Sequence, residues 1–260
     1  MQNSKNNYEI EFEKYISNFD INNPRIKLKI FHMYEVKKIA KTVAYMLCLP
    51  KKDVELAEFL GLYHDIGRFE QVKQYGTFYD EKSIDHAAFG AEILEKDGLI
   101  KKMYPGLSDE DYEILLCAIK YHNKFKLTKD MPHSNHYLCR IIRDADKIDI
   151  YRSMSDIEFQ NLFFDFDREN SVISENVKKT FYSNLAIPKA LVKTRAENLV
   201  MKIAFVFDFN YNVSKDLLLR YGYLGDFVQA FLSAKTVKNT EISTEIMEMY
   251  EYANDFLRSN

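Results

Sequence analysis

The chain has 260 residues, 47% of them hydrophobic and 29% charged, a composition that predicts a globular protein with a large buried core. A net charge of −3 disfavours long nucleic acids and anionic membrane surfaces as general partners. The first residues contain no apolar signal core, and no run of about 18 apolar residues occurs, so we expect a cytoplasmic protein without a membrane partner.

The three cysteines are too scattered for a metal or redox motif. Cys48, Cys117 and Cys139 lie far apart, each among apolar residues, and none belongs to a CxxC pair. We therefore expect three reduced thiols in the protein core, which agrees with a cytoplasmic location.

Helical periodicity of the apolar residues dominates the sequence, and no sustained alternation of apolar and polar residues predicts a strand. Only 8 glycines and 5 prolines interrupt the chain. We expect residues 68–84 to form an irregular loop. The predicted helices are 7–19, 25–48, 51–67, 86–97, 109–123, 135–152, 155–165, 175–184, 188–209, 214–234 and 241–257.

Five of these helices carry a side chain able to bind a metal ion on their apolar face. One histidine in such a place usually bonds to a backbone carbonyl in the core. Five helices in succession favour a shared metal, because one ion would satisfy all of these side chains at once. The residues are His32, His64 with its neighbour Asp65, His86, His122 and Asp146.

The order of these six residues, with the motifs HDIGR, SIDHAAFG and RDADKID, resembles the HD-domain superfamily of metal-dependent phosphohydrolases. The resemblance covers roughly residues 25 to 150. It implies an all-α HD-domain helical bundle with additional C-terminal helices packed on it. We accordingly expect an N-terminal helix at 1–24, a metal-binding core at 25–152 and a C-terminal helical extension at 153–260, which we place in the same globular unit.

The resemblance also implies two divalent transition-metal ions. His32, His64, Asp65 and Asp146 match the basic ligand set of the superfamily. His86 and His122 match the extra histidines of its binuclear members, in which the aspartate of the doublet bridges both ions. Mixed imidazole and carboxylate ligands suit iron, manganese, cobalt, nickel or zinc.

Two basic residues next to the ligands are candidates for catalysis, together with Asp65. Arg68 stands where many members carry lysine, and its guanidinium fork suits a phosphate. Lys147 follows Asp146 and either assists the reaction or lies on the surface. Asp149, one turn further, orients a ligand or pairs locally with Arg152 or Lys147.

Four further residues are candidates for substrate binding. Tyr79 and Ser83 lie between the doublet and His86, near the expected entrance to the site. Asp208 and Asn210 are polar residues among aromatic ones and either reach the pocket or serve helix ends.

The resulting functional hypothesis is hydrolysis of a phosphoester of a nucleotide or related small metabolite by a metal-bridged hydroxide. Two ions about 3.5–4 Å apart can lower the pKa of a shared water and hold phosphate oxygens. The cyclic-di-GMP branch of the superfamily is rejected, because the stretch YHNKFKLTKDMPHS lacks its signature. Two alternatives stay open: a mixed-valent di-iron oxygenase with the same ligands, and a non-catalytic nucleotide-binding module.

Overall fold

The computed structural model describes residues 6–96, 98–156, 172–233 and 240–259, and these residues form helices joined by turns, with no β-strand among them. The prediction of an all-α fold is confirmed. The first helices are α1 Asn7–Ile16, α2 Pro24–Met46, α3 Lys51–Tyr63, α4 Gly67–Tyr75, α5 His86–Lys96, α6 Leu99–Met103, α7 Asp109–Tyr121 and α8 Tyr137–Met154. They are followed by α9 Glu175–Tyr182, α10 Arg195–Ile203, α11 Asn212–Tyr221, α12 Tyr223–Ser233 and α13 Thr240–Arg258.

The chain divides into two compact units, Met1–Asp146 and Lys147–Asn260, and the boundary falls within α8. None of the helices in the described ranges is both long and apolar enough to cross a membrane.

The N-terminal unit has an aromatic core that joins α1, α3 and α4. Phe12 lies with its ring centroid 5.5 Å from that of Tyr63 and 6.2 Å from that of Phe69. The hydroxyl of Tyr63 donates a hydrogen bond to the carbonyl oxygen of Tyr8 at 2.7 Å, which satisfies its one polar group. Burial of these rings fixes the C-terminal end of α3, where the HD doublet begins.

Two glycines let helices of this unit approach one another closely. A Cβ added at Gly61 would lie 2.5 Å from the Cα of Lys37, so α3 packs directly against the backbone of α2. A Cβ added at Gly67 would lie 2.2 Å from the carbonyl oxygen of His86 and 2.8 Å from the backbone nitrogen of Gly90. The glycine of the HDIGR motif therefore brings the start of α5 against the doublet.

Replacing Gly67 by alanine should lower the free energy of unfolding by about 1–3 kcal/mol, because the methyl group overlaps rigid backbone atoms. Urea denaturation followed by circular dichroism measures this change. Gly106→Ala is the matched control, since nothing lies within 4 Å of an added Cβ there. Equal stabilities of the two variants would contradict the close approach of α4 and α5.

The prediction of an irregular loop at 68–84 is wrong for its first half, because α4 occupies Gly67–Tyr75. Phe69 and Val72, three residues apart, bury one face of this helix against the core. Gly76 ends it with a φ of 64°, a left-handed conformation that glycine adopts without strain.

Other predicted helices are shorter than expected. The predicted helix 188–209 contains α10, which begins at a capping box of Thr194 and Glu197 and gives way to a 3₁₀ turn at Ala204–Asp208. The predicted helix 214–234 is two helices, since Gly222 has a φ of 71° between α11 and α12. The predicted helix 155–165 lies, except for its first two residues, outside the described ranges.

The prediction of three core thiols is wrong for one of them. Cys117 and Cys139 are buried and free, whereas Cys48 is exposed. Cys48 has a φ of 55° in the turn after α2, so this residue leaves the helix and its apolar face. α2 itself ends at Met46, two residues before the predicted end of this helix.

The C-terminal unit has its own apolar core. Leu199, Val200 and Ile203 lie buried on one face of α10. The buried Tyr151 donates a hydrogen bond to the carbonyl oxygen of Lys202 at 2.9 Å, which ties the end of α8 to α10.

Candidate metal centre

The six predicted metal ligands come together inside the N-terminal unit, although they come from five parts of the helical framework. Two histidines directly follow a helix, one begins a helix, and the others lie within helices or next to a histidine. In chain order they are His32 in α2, His64 and Asp65 after α3, His86 at the start of α5, His122 after α7 and Asp146 in α8.

The first group of contacts joins His32, His64 and Asp146. His32 Nε2 lies 3.2 Å from His64 Nε2 and 3.2 Å from Asp146 Oδ1, and His64 Nε2 lies 3.6 Å from the same oxygen. Both histidines are almost fully buried, while 19% of the Asp146 side chain is exposed. Two nitrogens and one oxygen thus converge within reach of a single ion.

The second group of contacts joins Asp65, His86 and His122. Asp65 Oδ1 lies 3.2 Å from His86 Nε2 and 3.6 Å from His122 Nε2, and the two nitrogens lie 3.3 Å apart. All three side chains are buried.

The carboxylate of Asp65 lies between the two groups. Its Oδ2 is 3.6 Å from Nε2 of both His32 and His64, whereas its Oδ1 faces His86 and His122. One oxygen therefore points to each group, which is the arrangement that a bridging carboxylate requires.

Backbone hydrogen bonds set the tautomers of two of the histidines. Nδ1 of His64 lies 3.0 Å from the carbonyl oxygen of Gly61, and Nδ1 of His122 lies 2.7 Å from that of Ile119. A carbonyl oxygen only accepts, so each Nδ1 carries the proton and donates it. Each Nε2 then presents a lone pair to the centre.

This arrangement fits a divalent metal. Lone pairs of imidazole nitrogens face each other and face carboxylate oxygens at contact distance, and acceptors in such positions repel unless a cation or a proton lies between them. Asp65 Oδ1 is buried and accepts no hydrogen bond from the described residues. Imidazole and carboxylate together are the donor set that divalent transition metals prefer.

Local electrostatics keep the donors in the forms that bind metal. Burial alone would raise the pKa of Asp65, but its neighbours, the ammonium of Lys29 foremost, outweigh it and hold that pKa well below its ordinary value. Burial and the charge of Arg68 lower the pKa of His86, which favours its neutral form.

Lys29 is a member of the site that the sequence analysis missed. Its ammonium lies 2.5 Å from Asp65 Oδ2, and only 9% of its side chain is exposed. It also lies 5.5 Å from the ring centroid of Phe78. The sequence does contain one indication of this position: Lys29 precedes His32 by three residues and so lies on the same face of α2.

Arg68 is anchored beside the centre by one of its nitrogens. Nη1 donates to Gln71 Oε1 at 2.7 Å, to the carbonyl oxygen of Phe78 at 2.7 Å and to Asp80 Oδ1 at 2.9 Å. Its Nε is buried without a hydrogen-bond partner among the described residues and lies 3.5 Å from Asp65 Oδ1. Arg68 thus keeps an unused donor next to the candidate bridging carboxylate.

Ser83 and Tyr79 contribute to the structure of the loop before α5. The hydroxyl of Ser83 donates to the carbonyl oxygen of Tyr79 at 2.8 Å and accepts from Gln71 Nε2 at 2.8 Å. The ring of Tyr79 lies 5.0 Å from the ammonium of Lys82. A role of either residue in substrate binding stays a prediction.

Two of the candidates from the second half of the chain, Lys147 and Asp208, pair with one another. In the C-terminal unit, Lys147 Nζ lies 2.7 Å from Asp208 Oδ2 and donates to the Asp208 carbonyl oxygen at 3.0 Å. Asp208 ends a 3₁₀ turn and Asn210 is exposed just beyond it. Asp149 forms the local pair with Arg152, at 2.5 Å. Roles of Lys147, Asp208 and Asn210 in the reaction stay predictions.

A helical unit with four histidines and two aspartates around one buried point has the framework of a His/Asp metal centre. Residues 30–151 match the family model described as HD domain, and this part of the chain is an HD domain. The family expected from the sequence is confirmed, and it indicates a superfamily of metal-dependent hydrolases. A search of curated proteins and a search of solved structures each gave no match.

Proposed function

We propose that this HD domain hydrolyses a phosphoester of a nucleotide or related small metabolite with the help of two divalent transition-metal ions. His32, His64 and Asp146 would hold one ion, His86 and His122 the other, and Asp65 would bind both. The observation that carries the proposal is the position of Asp65, whose two oxygens face different pairs of histidines.

The metals and the protein would divide the chemical work. Two bound ions would polarise a phosphoryl oxygen. They would also lower the pKa of a bound water molecule, so that hydroxide is present at neutral pH. The buried Nε of Arg68, which forms no hydrogen bond with the described residues, would donate to a phosphoryl oxygen that gains charge in the transition state.

Two cations beside one aromatic ring support an anionic substrate. Lys29 Nζ and Arg68 Cζ lie 5.5 Å and 5.7 Å from the ring centroid of Phe78. Lys29 also balances the buried charge of Asp65. Two divalent ions together with these cations would outweigh the charges of the carboxylates around the site, which favours a phosphate group over a neutral substrate, although the chain as a whole carries a net charge of −3.

Removal of metal should abolish hydrolysis. We expect protein treated with a chelator to release no phosphate or nucleoside from a panel of nucleotides and other small phosphoesters. Reloading with Mn²⁺, Fe²⁺, Co²⁺, Ni²⁺ or Zn²⁺ should restore turnover with at least one ion. The assay measures inorganic phosphate and product by chromatography, with the chelated protein as the matched blank.

The same assay under nitrogen separates the two alternatives. Turnover that requires both iron and oxygen would contradict the hydrolase proposal and identify a di-iron oxygenase. A nucleotide that binds tightly to the metal-loaded protein without being cleaved would contradict the hydrolase proposal and identify a nucleotide-binding module. Phosphoester cleavage of equal rate with and without oxygen supports the proposal.

A further inference from the structure

The histidines of the centre are held in two different ways. His64 and His122 directly follow α3 and α7, where the last carbonyl groups of a helix lack intrahelical partners. Their Nδ1 atoms bond to such carbonyls, those of Gly61 and Ile119. His86 is instead the first residue of α5, where the unpaired backbone groups are N–H donors. The backbone of its own helix therefore offers no acceptor for its Nδ1–H.

Asp80 supplies the missing acceptor. Its Oδ2 lies 2.7 Å from His86 Nδ1, the shortest contact that either ring nitrogen of His86 makes. Asp80 belongs to a 3₁₀ turn, Asp80–Lys82, which lies between α4 and α5. A carboxylate in this position fixes the proton on Nδ1 and turns the Nε2 lone pair toward Asp65 and His122.

The same carboxylate also binds the basic residue of the site. Asp80 Oδ1 accepts from Arg68 Nη1 and Gln71 Nε2, both at 2.9 Å, and Oδ2 accepts from Asn123 Nδ2 at 3.3 Å. Asp80 thus accepts hydrogen bonds from four residues, one of which is the candidate ligand His86.

A separate metal site at Asp80, Asp85 and His86 is the competing interpretation, since these three side chains also lie close together. Their donors argue against it. Asp85 Oδ1 accepts from the backbone nitrogens of Ala87 and Ala88, and Oδ2 pairs with Lys124. Protein donors already satisfy both carboxylates.

We propose that Asp80 is a positioning residue that controls how tightly the ion at His86 and His122 binds and holds Arg68 next to that ion. The inference rests on the proposed function in one respect, that two ions are bound. It assigns to one carboxylate the link between the second metal position and the predicted phosphate-binding residue.

The test is a calorimetric titration with Mn²⁺ of protein from which a chelator has removed all metal. In Asp80→Ala the first ion should bind as in the native chain, and the second about 10–100-fold more weakly. Asp80→Asn should recover part of that loss, because its amide oxygen can still accept from Nδ1–H of His86. NMR of the metal-free protein with ¹⁵N-labelled histidine should show His86 losing its Nδ1–H preference in the alanine variant.

Asp85→Asn is the matched control, because it removes a carboxylate charge from the same loop and retains an N-capping side chain. It should bind both ions as the native chain does. Unchanged affinity for the second ion in Asp80→Ala, equal weakening of both ions, or a native chain that binds one ion would each overturn the inference. A weakened second ion in a protein without phosphoester turnover would leave the inference standing and contradict the proposed function.

Discussion

Replacing Asp65 by alanine should remove both metal ions, whereas replacing His122 by alanine should remove mainly one. Asp65 Oδ2 faces His32 and His64, and its Oδ1 faces His86 and His122, so its loss takes a ligand from each group. His122 Nε2 lies 3.3 Å from His86 Nε2 and 3.6 Å from Asp65 Oδ1, so its loss takes a ligand from the second group alone. Metal analysis by mass spectrometry of purified, reloaded protein gives the stoichiometry of each variant.

Two further variants show whether metal loss reflects the ligand itself. Asp65→Asn keeps the shape of the side chain but not its charge, and we expect it to fold and to hold at most one ion. His133→Asn is the matched control, because His133 is an exposed histidine whose φ of 52° asparagine tolerates. It should keep both ions. Equal stoichiometry in Asp65→Ala and His122→Ala would contradict the bridging role.

Replacing Arg68 by alanine should preserve the metal content and lower kcat/KM for the phosphoester by about 10²-fold or more. Arg68 cannot bind a metal ion itself, because a guanidinium group has no lone pair to offer. Its Nη1 donates to Gln71, Phe78 and Asp80, while its buried Nε forms no hydrogen bond with the described residues. A donor aimed at developing charge in a water-poor site contributes most in the transition state.

Arg68→Lys should recover only part of the activity, because one ammonium cannot both replace the Nη1 anchor and donate to substrate. Lys73→Ala is the control for loss of a positive charge on α4, since its side chain is 57% exposed and pairs with Glu70. Steady-state kinetics on metal-replete proteins compares the three. Near-normal turnover of Arg68→Ala would remove Arg68 from the site and leave it a purely structural role.

Periodicity predicted the all-α fold because apolar side chains repeat at helical spacing along most of the chain. It failed where a single glycine or a short segment decides the outcome. Gly222 divides one predicted helix into two, and α4 forms within a predicted loop because Phe69 and Val72 bury one face of it. The ends of helices depend on local φ values and on burial against helices distant in sequence, and apolar periodicity carries no information about either.

The candidate ligands could be named from sequence because each lies at a fixed step from an apolar stripe and in the order of a known family. The residues that support them could not. Asp80 lies in a short 3₁₀ turn that apolar periodicity does not predict, and its bond to His86 depends on where α5 begins. Lys29 was overlooked because a lysine on a helix is usually exposed, whereas here the carboxylate of Asp65 compensates its burial.

The central claim is that one buried carboxylate joins two metal positions, and anomalous diffraction from crystals of the Mn²⁺-loaded protein tests it most directly. We predict two peaks in each chain, one at His32, His64 and Asp146 and the other at His86 and His122, with a different oxygen of Asp65 next to each. A single peak, or a peak at Asp80 and Asp85 in place of the second, would contradict the account.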